Sequence, residues 1–301
     1  MNGNDYAIAV RKPDGDIEVK KDTYVSIARK HKFLGLPFIR GIFSFIDSMV
    51  VGMRALTWSC SFFEDDEDAE PGKFEQFLDR VFGEKLESAI MAAVLVISFI
   101  LAIGIFMLLP LGIANLFKGV ITSDHLMAVL EGVIRIAIFI IYIKLVSRME
   151  DIRRTFMYHG AEHKCINCVE HGHPLTVKYV RESSKEHKRC GTSFILIVMV
   201  ISILMFMVIR VDTIWMRILS RIILVPVIAG ISYEVLQCAG RSNSKFMDLV
   251  SRPGMWMQGL TTKEPDDSMI EVAIAATEAV FDWREYLTEN FPGWEKQLEE
   301  S

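Results

Sequence analysis

The sequence holds little of what marks a secreted or nucleic-acid-binding protein. Five cysteines occur in 301 residues, Cys60, Cys165, Cys168, Cys190 and Cys238, and their spacing forms no secreted disulfide framework. Free thiols on or near a reducing compartment are expected. Excess basic charge is missing as well: 33 Lys and Arg stand against 38 Asp and Glu, a net charge of -5. With a pI near 5.9, this argues against a general nucleic-acid binder. No short apolar stretch follows a basic amino terminus, so no cleavable signal peptide is expected, and the first span should act as an uncleaved anchor. There is no internal repeat of fixed period, and low complexity is confined to one acidic run.

Long apolar runs are present instead. Hydrophobic residues make up 51% of the chain and the mean hydropathy is +0.30; runs of about 20 apolar residues can cross a hydrocarbon core of roughly 30 Å. Four such stretches are predicted: Ser88–Phe117, with a tilt or kink at Pro110, Leu126–Val146, Phe194–Val211, and roughly Ile218–Leu236, which contains Pro226 and Gly230. The second carries Glu131 and Arg135, four apart and able to pair on one face. Trp215, in the turn between the last two, fits an aromatic belt.

The loop between the second and third spans carries nine basic residues from Arg148 to Arg189, whereas the loop between the first two has only Lys118. Basic loops stay inside. A multi-pass protein of a bacterial-type inner membrane is expected, with both termini cytoplasmic.

The expected fold is mainly α-helical, with about four transmembrane helices, a small N-terminal β-hairpin and cytoplasmic helical and loop elements. Residues 1–32 form the hairpin cap, since YAIAV and IEVK flank a Pro-Asp-Gly turn. Residues 33–87 hold an interfacial or re-entrant helix, Phe33 to Cys60, and an acidic linker, Glu64 to Glu70. That helix places Arg40, Asp47 and Arg54 seven apart on one face; its alternative is an amphipathic core helix of a soluble cap. Residues 88–147 hold the first two spans, 148–193 the cytoplasmic loop, 194–240 the last two spans and 241–301 a cytoplasmic tail. In that tail Met269, Val272, Ala273, Ala276 and Val280 recur at helical spacing, which predicts a docking helix.

The candidate chemistry lies in RRTFMYHGAEHKC, directly after the second span. On a helix, His159 and His163 stack at i,i+4 and can share one divalent metal, with Glu162 beside them as a base for water. The order His-x-x-Glu-His is that of inverzincin metalloproteases. Catalytic zinc takes three protein ligands. His187 and Cys190, before the third span, and Glu234, at the inner end of the fourth, are brought to the same membrane face by a four-span topology. Two other readings stay open. Cys165 and Cys168 form a C-x-x-C that could join His187 and Cys190 in a closed structural zinc site, or the cluster could be metal-free and hydrogen-bonded.

YHGAEHK, HKRCGTSF, SYE and PGMWMQGLTTKEPDD, with RKPDG and LPFIRG, resemble the signature blocks of the YqhQ-like family of uncharacterised bacterial multi-span membrane proteins. The resemblance implies a predicted metal-dependent enzyme and runs from about Tyr6 into the Ile270s. Two features depart from the family: its usual Gly-rich opening segment is missing, and Cys165 and Cys168 stand where ordinary residues are expected.

The expectation is therefore a metal-dependent membrane enzyme, a hydrolase of a peptide or amphiphile at the cytoplasmic face. Its cofactor would be a divalent metal, zinc first, although iron and manganese share these ligands. Membrane lipid and membrane proteins are its expected partners. The alternative is a non-catalytic scaffold for membrane-protein insertion or assembly.

Overall fold

The computed structural model describes residues 2–30, 33–62, 86–187, 190–209, 213–241 and 244–298. The acidic run Glu64 to Glu70 lies outside them. Two compact units are present, one of Met1–Phe62 with Ile143–Ser301 and one of Phe63–Tyr142.

In the smaller unit, α3 (Leu86–Ile103) passes into a π-helical turn (Gly104–Leu108) and then α4 (Leu109–Asn115). Pro110 gives the reason: a proline ring collides with the carbonyl four residues back, here Phe106, and a widened turn accommodates it. Next comes α5 (Asp124–Val146), in which Arg135 donates to Glu131 at 2.7 Å. Both members of that pair are largely buried, so a charge at this depth is neutralised locally. Phe106 packs edge-on against Phe139 and Tyr142.

The larger unit begins with the predicted hairpin, β1 (Asp5–Arg11) antiparallel to β2 (Ile17–Thr23). After the short α1 (Ile27–Lys30) comes α2 (Ile39–Cys60). All three charged residues of α2 are used on one side. Arg40 pairs with Glu234, Asp47 accepts from Tyr24, Ser26 and the Ile27 amide, and Arg54 lies over the Tyr24 ring.

The remaining helices are α6 (Glu150–Glu170), α7 (Val177–Glu182), α8 (Gly191–Val208), α9 (Ile214–Arg241), α10 (Lys245–Thr261), α11 (Asp267–Glu278) and α12 (Trp283–Asn290), followed by a 3-10 turn, Trp294–Gln297. Among the described residues, four helices are long and apolar enough to cross a membrane, over Ala93–Asn115, Asp124–Val146, Gly191–Val208 and Ile222–Gly240. They correspond to the four predicted spans.

Within this unit α8 packs on α9 and α10, and α2 packs on α9. A separate core joins α6, α7, α11 and α12 around Ala161, Cys165, Cys168, Val180, Ile270 and Leu287. The predicted docking helix is α11, which buries Met269, Ile270 and Val272 against α6 and α7. Its start is capped by Asp266, whose carboxylate accepts from the Met269 amide.

Candidate metal centre

The His-x-x-Glu-His stretch is helical, the condition under which its two histidines share one face, and sits in the middle of α6. Glu150 and Asp151 in the first turn complement the helix dipole. One turn apart, the His159 and His163 rings meet edge to face with centroids 4.4 Å apart. The third member comes from elsewhere in the chain: Cys190 is the N-cap of α8, and its Sγ lies 3.3 Å from His159 Nε2.

Among the described residues, His159, His163 and Cys190 form the group in which one ligand atom from each lies within 4.8 Å of the others. A tetrahedral zinc ion, with Zn–S of about 2.3 Å and Zn–N of about 2.0 Å, holds its nitrogen and sulfur ligands roughly 3.5 Å apart. The spacing fits a metal of that size.

The second nitrogen of each imidazole is already engaged. His159 Nδ1 donates to the Thr261 carbonyl at 3.1 Å, and His163 Nδ1 to the Lys185 carbonyl at 2.7 Å. A carbonyl can only accept, so each Nδ1 carries the proton and each Nε2 keeps its lone pair, the tautomer a metal ligand needs.

Three segments hold these carbonyls and the thiol in place. Gln258, fully buried on α10, accepts from the His187 amide and donates to the His187 carbonyl and the Ser193 hydroxyl, thereby bracketing Cys190. Gly254 lets α10 approach α8, since a Cβ there would lie 2.7 Å from Ser193 Cβ. Past α10, the Lys263 amide donates to the Phe156 carbonyl, and the Lys263 carbonyl sits where a Cβ on Gly160 would be, only 2.1 Å away. Glu264 then reaches Lys164 at 3.0 Å and Lys185 at 3.2 Å, tying this strap to the segment that orients His163.

Electrostatics favours a thiolate. Burial opposes ionisation of Cys190, but hydrogen bonds from His159, His163 and Thr192 outweigh it and bring the thiol down to about 5. Burial likewise opposes a charged His159, yet the neighbouring Cys190 sulfur, the Thr261 carbonyl and the Glu162 charge raise its pKa above the ordinary value.

The other candidates sit apart from this trio. Glu162 is exposed on α6, next to His163 and one turn from His159. His187 is close, its ring 5.9 Å from that of His163, but its Nε2 meets Glu170 at 3.1 Å. Glu234 is bound by Arg40 in a two-pronged pair, at 2.8 and 2.6 Å, and also accepts from the Phe38 amide. Cys165 and Cys168 lie in the apolar core, where burial pushes the Cys165 thiol far up and Cys168 up to about 11, and Cys168 Sγ donates to the Pro174 carbonyl. They share no cluster with Cys190 or His187.

Sequence reasoning did not find Gln258, Gly160 and Thr261. An amide in the otherwise apolar stretch from Gly254 to Leu260 was the visible signal for Gln258; Thr261 acts through its main chain and left none.

The family described as a protein of unknown function, DUF1385, matches residues 36–283. The uncharacterized protein YqhQ of Bacillus subtilis (strain 168) is 34% identical over 275 residues, which cover 89% of this chain and 84% of that protein. No solved structure matches the chain.

Proposed function

The chain belongs to the DUF1385 family, and on that premise we propose that it is a metal-dependent membrane hydrolase acting on a peptide or amphiphile at the cytoplasmic face of a bacterial-type inner membrane. One observation carries the reading. Both imidazoles spend Nδ1 on main-chain carbonyls and converge with the Cys190 sulfur, one ligand atom of each lying within 4.8 Å of the others.

The ligands would be His159 Nε2, His163 Nε2 and Cys190 Sγ, the count a catalytic zinc takes while keeping one position for water. A divalent ion held there supplies Lewis acidity and a lowered pKa for water. Glu162, exposed and beside the ligands on α6, would serve as the general base for water at such a site. His187, paired with Glu170, holds the loop that orients His163. The carboxylate of Glu234 braces α9 against α2 and is no part of the ligand set.

Membrane lipid and neighbouring membrane proteins are its surroundings. The basic loop before Cys190 supports placing the site inside, with both termini on that side.

The rival is a non-catalytic scaffold for insertion or assembly, in which a metal or ion-pair cluster only ties helices together. The Arg40–Glu234 brace favours it, because it shows one charged cluster already used in that way.

The test is metal content of purified wild type, His159→Ala, His163→Ala, Cys190→Ala and Glu162→Gln. Wild type should bind about one equivalent, each ligand variant should lose it, and Glu162→Gln should keep it while losing turnover of peptide and lipid-ester probes. Metal missing from wild type, or unaffected by both histidine changes, ends the proposal. Metal retained with no probe turned over by wild type favours the scaffold.

A further inference from the structure

Among the described residues, the outer face of α2 is largely left open, meeting the larger unit only near its start. Phe45, Ile46, Met49, Met53 and Leu56 are exposed along it, and no charged residue interrupts them. Their spacing runs along one side of the helix. Arg40, Asp47 and Arg54 occupy the other side, each engaged with the protein.

We propose that α2 lies flat in the interfacial layer of a phospholipid bilayer, its Phe45–Leu56 stripe among the acyl chains and the β-hairpin riding on its opposite, polar side. This rests on the membrane reading given above.

Two observations commit the stripe to lipid. First, it is continuous with the surface of the apolar helices. α2 packs on α9, and Phe45 meets Phe194 in the first turn of α8, with ring centroids 6.4 Å apart. Second, the hairpin fixes the tilt. With 22 residues and a rise of about 1.5 Å each, α2 is long enough to cross a membrane. But the hairpin and the segment after it follow α2 along its length. Tyr24 and Ser26 bond Asp47, the Tyr24 ring lies 5.5 Å from Arg54, and Lys20 lies 5.8 Å from the Trp58 ring. An upright α2 would carry Glu18, Lys20, Lys21 and Asp22 of β2 into hydrocarbon, at about 2.5–3.5 kcal/mol for each lysine or aspartate. Lying flat costs none of this, and it sinks the apolar face by about 5–10 Å.

The consequence reaches the site. Phe194 is one helical turn beyond Cys190, so an in-plane α2 sets the candidate metal centre at headgroup depth. That depth suits a substrate whose reacting bond lies among lipid headgroups, which narrows the proposed class to an amphiphile.

The full chain in nanodiscs of phosphatidylethanolamine and phosphatidylglycerol provides the test, with exposed Cys60 and Cys238 changed to serine. Nitroxides are placed singly through Met49→Cys, Met53→Cys, Val19→Cys on β2 and Val200→Cys on α8. Collision rates with oxygen and with a water-soluble nickel chelate give depth. Met49 and Met53 should be reached by oxygen, shielded from nickel, and shallower than Val200, while Val19 stays open to nickel. Nickel access at Met49 and Met53 equal to that at Val19 overturns the proposal, because the stripe then faces water. Depths equal to that of Val200 overturn it in favour of a fifth span, and spin–spin coupling between protomers in favour of a second copy. Nickel access at Val200 would sink the membrane reading itself, a result separable from all of these.

Discussion

Two groups of helices in the larger unit are both rich in apolar side chains, and they turn them in opposite directions. Around α6, α7, α11 and α12, Ala161, Cys165, Val180, Ile270 and Leu287 are all 0% exposed. On α8 and α9, Leu204, Leu219, Ile222 and Ile223 are 56% exposed or more. The first group closes its own core and excludes water with side chains. The second turns its apolar side chains outward, on helices long and apolar enough to cross a membrane. Between helices in lipid the hydrophobic effect contributes little, and small or polar residues hold the packing; Ser193, Ser202, Ser232 and Gly230 are the buried ones here. The candidate metal centre lies on the seam, with two ligands from a helix of the first group and the third from the first residue before a helix of the second.

The seam should be the most fragile place. Gly160→Val puts a side chain onto the Lys263 carbonyl, which as backbone cannot swing away. We expect a loss of about 3 kcal/mol or more, with bound metal lost, because the displaced strap carries Thr261. Gly52→Ala, in open space on α2, is the control and should be neutral or stabilising by up to about 1 kcal/mol. Thermal unfolding in one detergent checks both. An equal Tm for the two variants would break the comparison.

Within the two groups, the same truncation should give different costs. Leu287→Ala opens a void in the closed core and should cost about 2–5 kcal/mol. Leu204→Ala, on the exposed flank of α8, should stay within about 0.5 kcal/mol in lipid. Denaturant midpoints in bicelles separate them; similar losses would mean that α8 is covered by protein.

Gln258→Leu sharpens the comparison on a smaller scale. It strands the His187 amide and carbonyl in a buried site, at about 1–3 kcal/mol. Through Cys190 it should weaken metal binding by about 10–100-fold. Competition with a coloured chelator measures that, and unchanged affinity would show that Cys190 holds its place unaided.

The features set by one stretch of chain were legible in the sequence: the four long apolar helices, the hairpin, the His159–His163 face and the docking helix. Arg40, Asp47 and Arg54 were placed correctly on one face, yet their partners were not, since Glu234 lies 194 residues from Arg40. A carboxylate at the inner end of a span looks equally like a ligand and like half of an ion pair. The choice depends on which cation the fold brings near. His187 is placed in the same way, beside Glu170. The carbonyls that orient the two imidazoles belong to Thr261 and Lys185, and a main-chain acceptor leaves no trace in residue identity.

The smallest expected effect tests the pair at the seam directly, by titrating chelator-treated protein. Cys190 has its pKa lowered from an ordinary value of 9.0 to about 5. The stability it contributes is therefore complete above 9.0, shrinks as the pH falls, and is gone once the pH has passed below about 5. His159 runs the other way: its pKa is raised above 6.5, so its contribution is complete below 6.5 and disappears as the pH climbs through the raised value. Both terms act together only between about 5 and the raised value of His159. The stability difference between wild type and Cys190→Ser should therefore grow as the pH rises above about 5, flatten once the His159 contribution begins to fall above 6.5, and be largest above 9.0, and the ultraviolet absorbance of the thiolate, taken as the same difference, should rise with a midpoint near 5. A midpoint near 9.0 would mean that His159 and Cys190 do not share a proton, and that the imidazole aimed at the sulfur is held there by the Thr261 carbonyl alone.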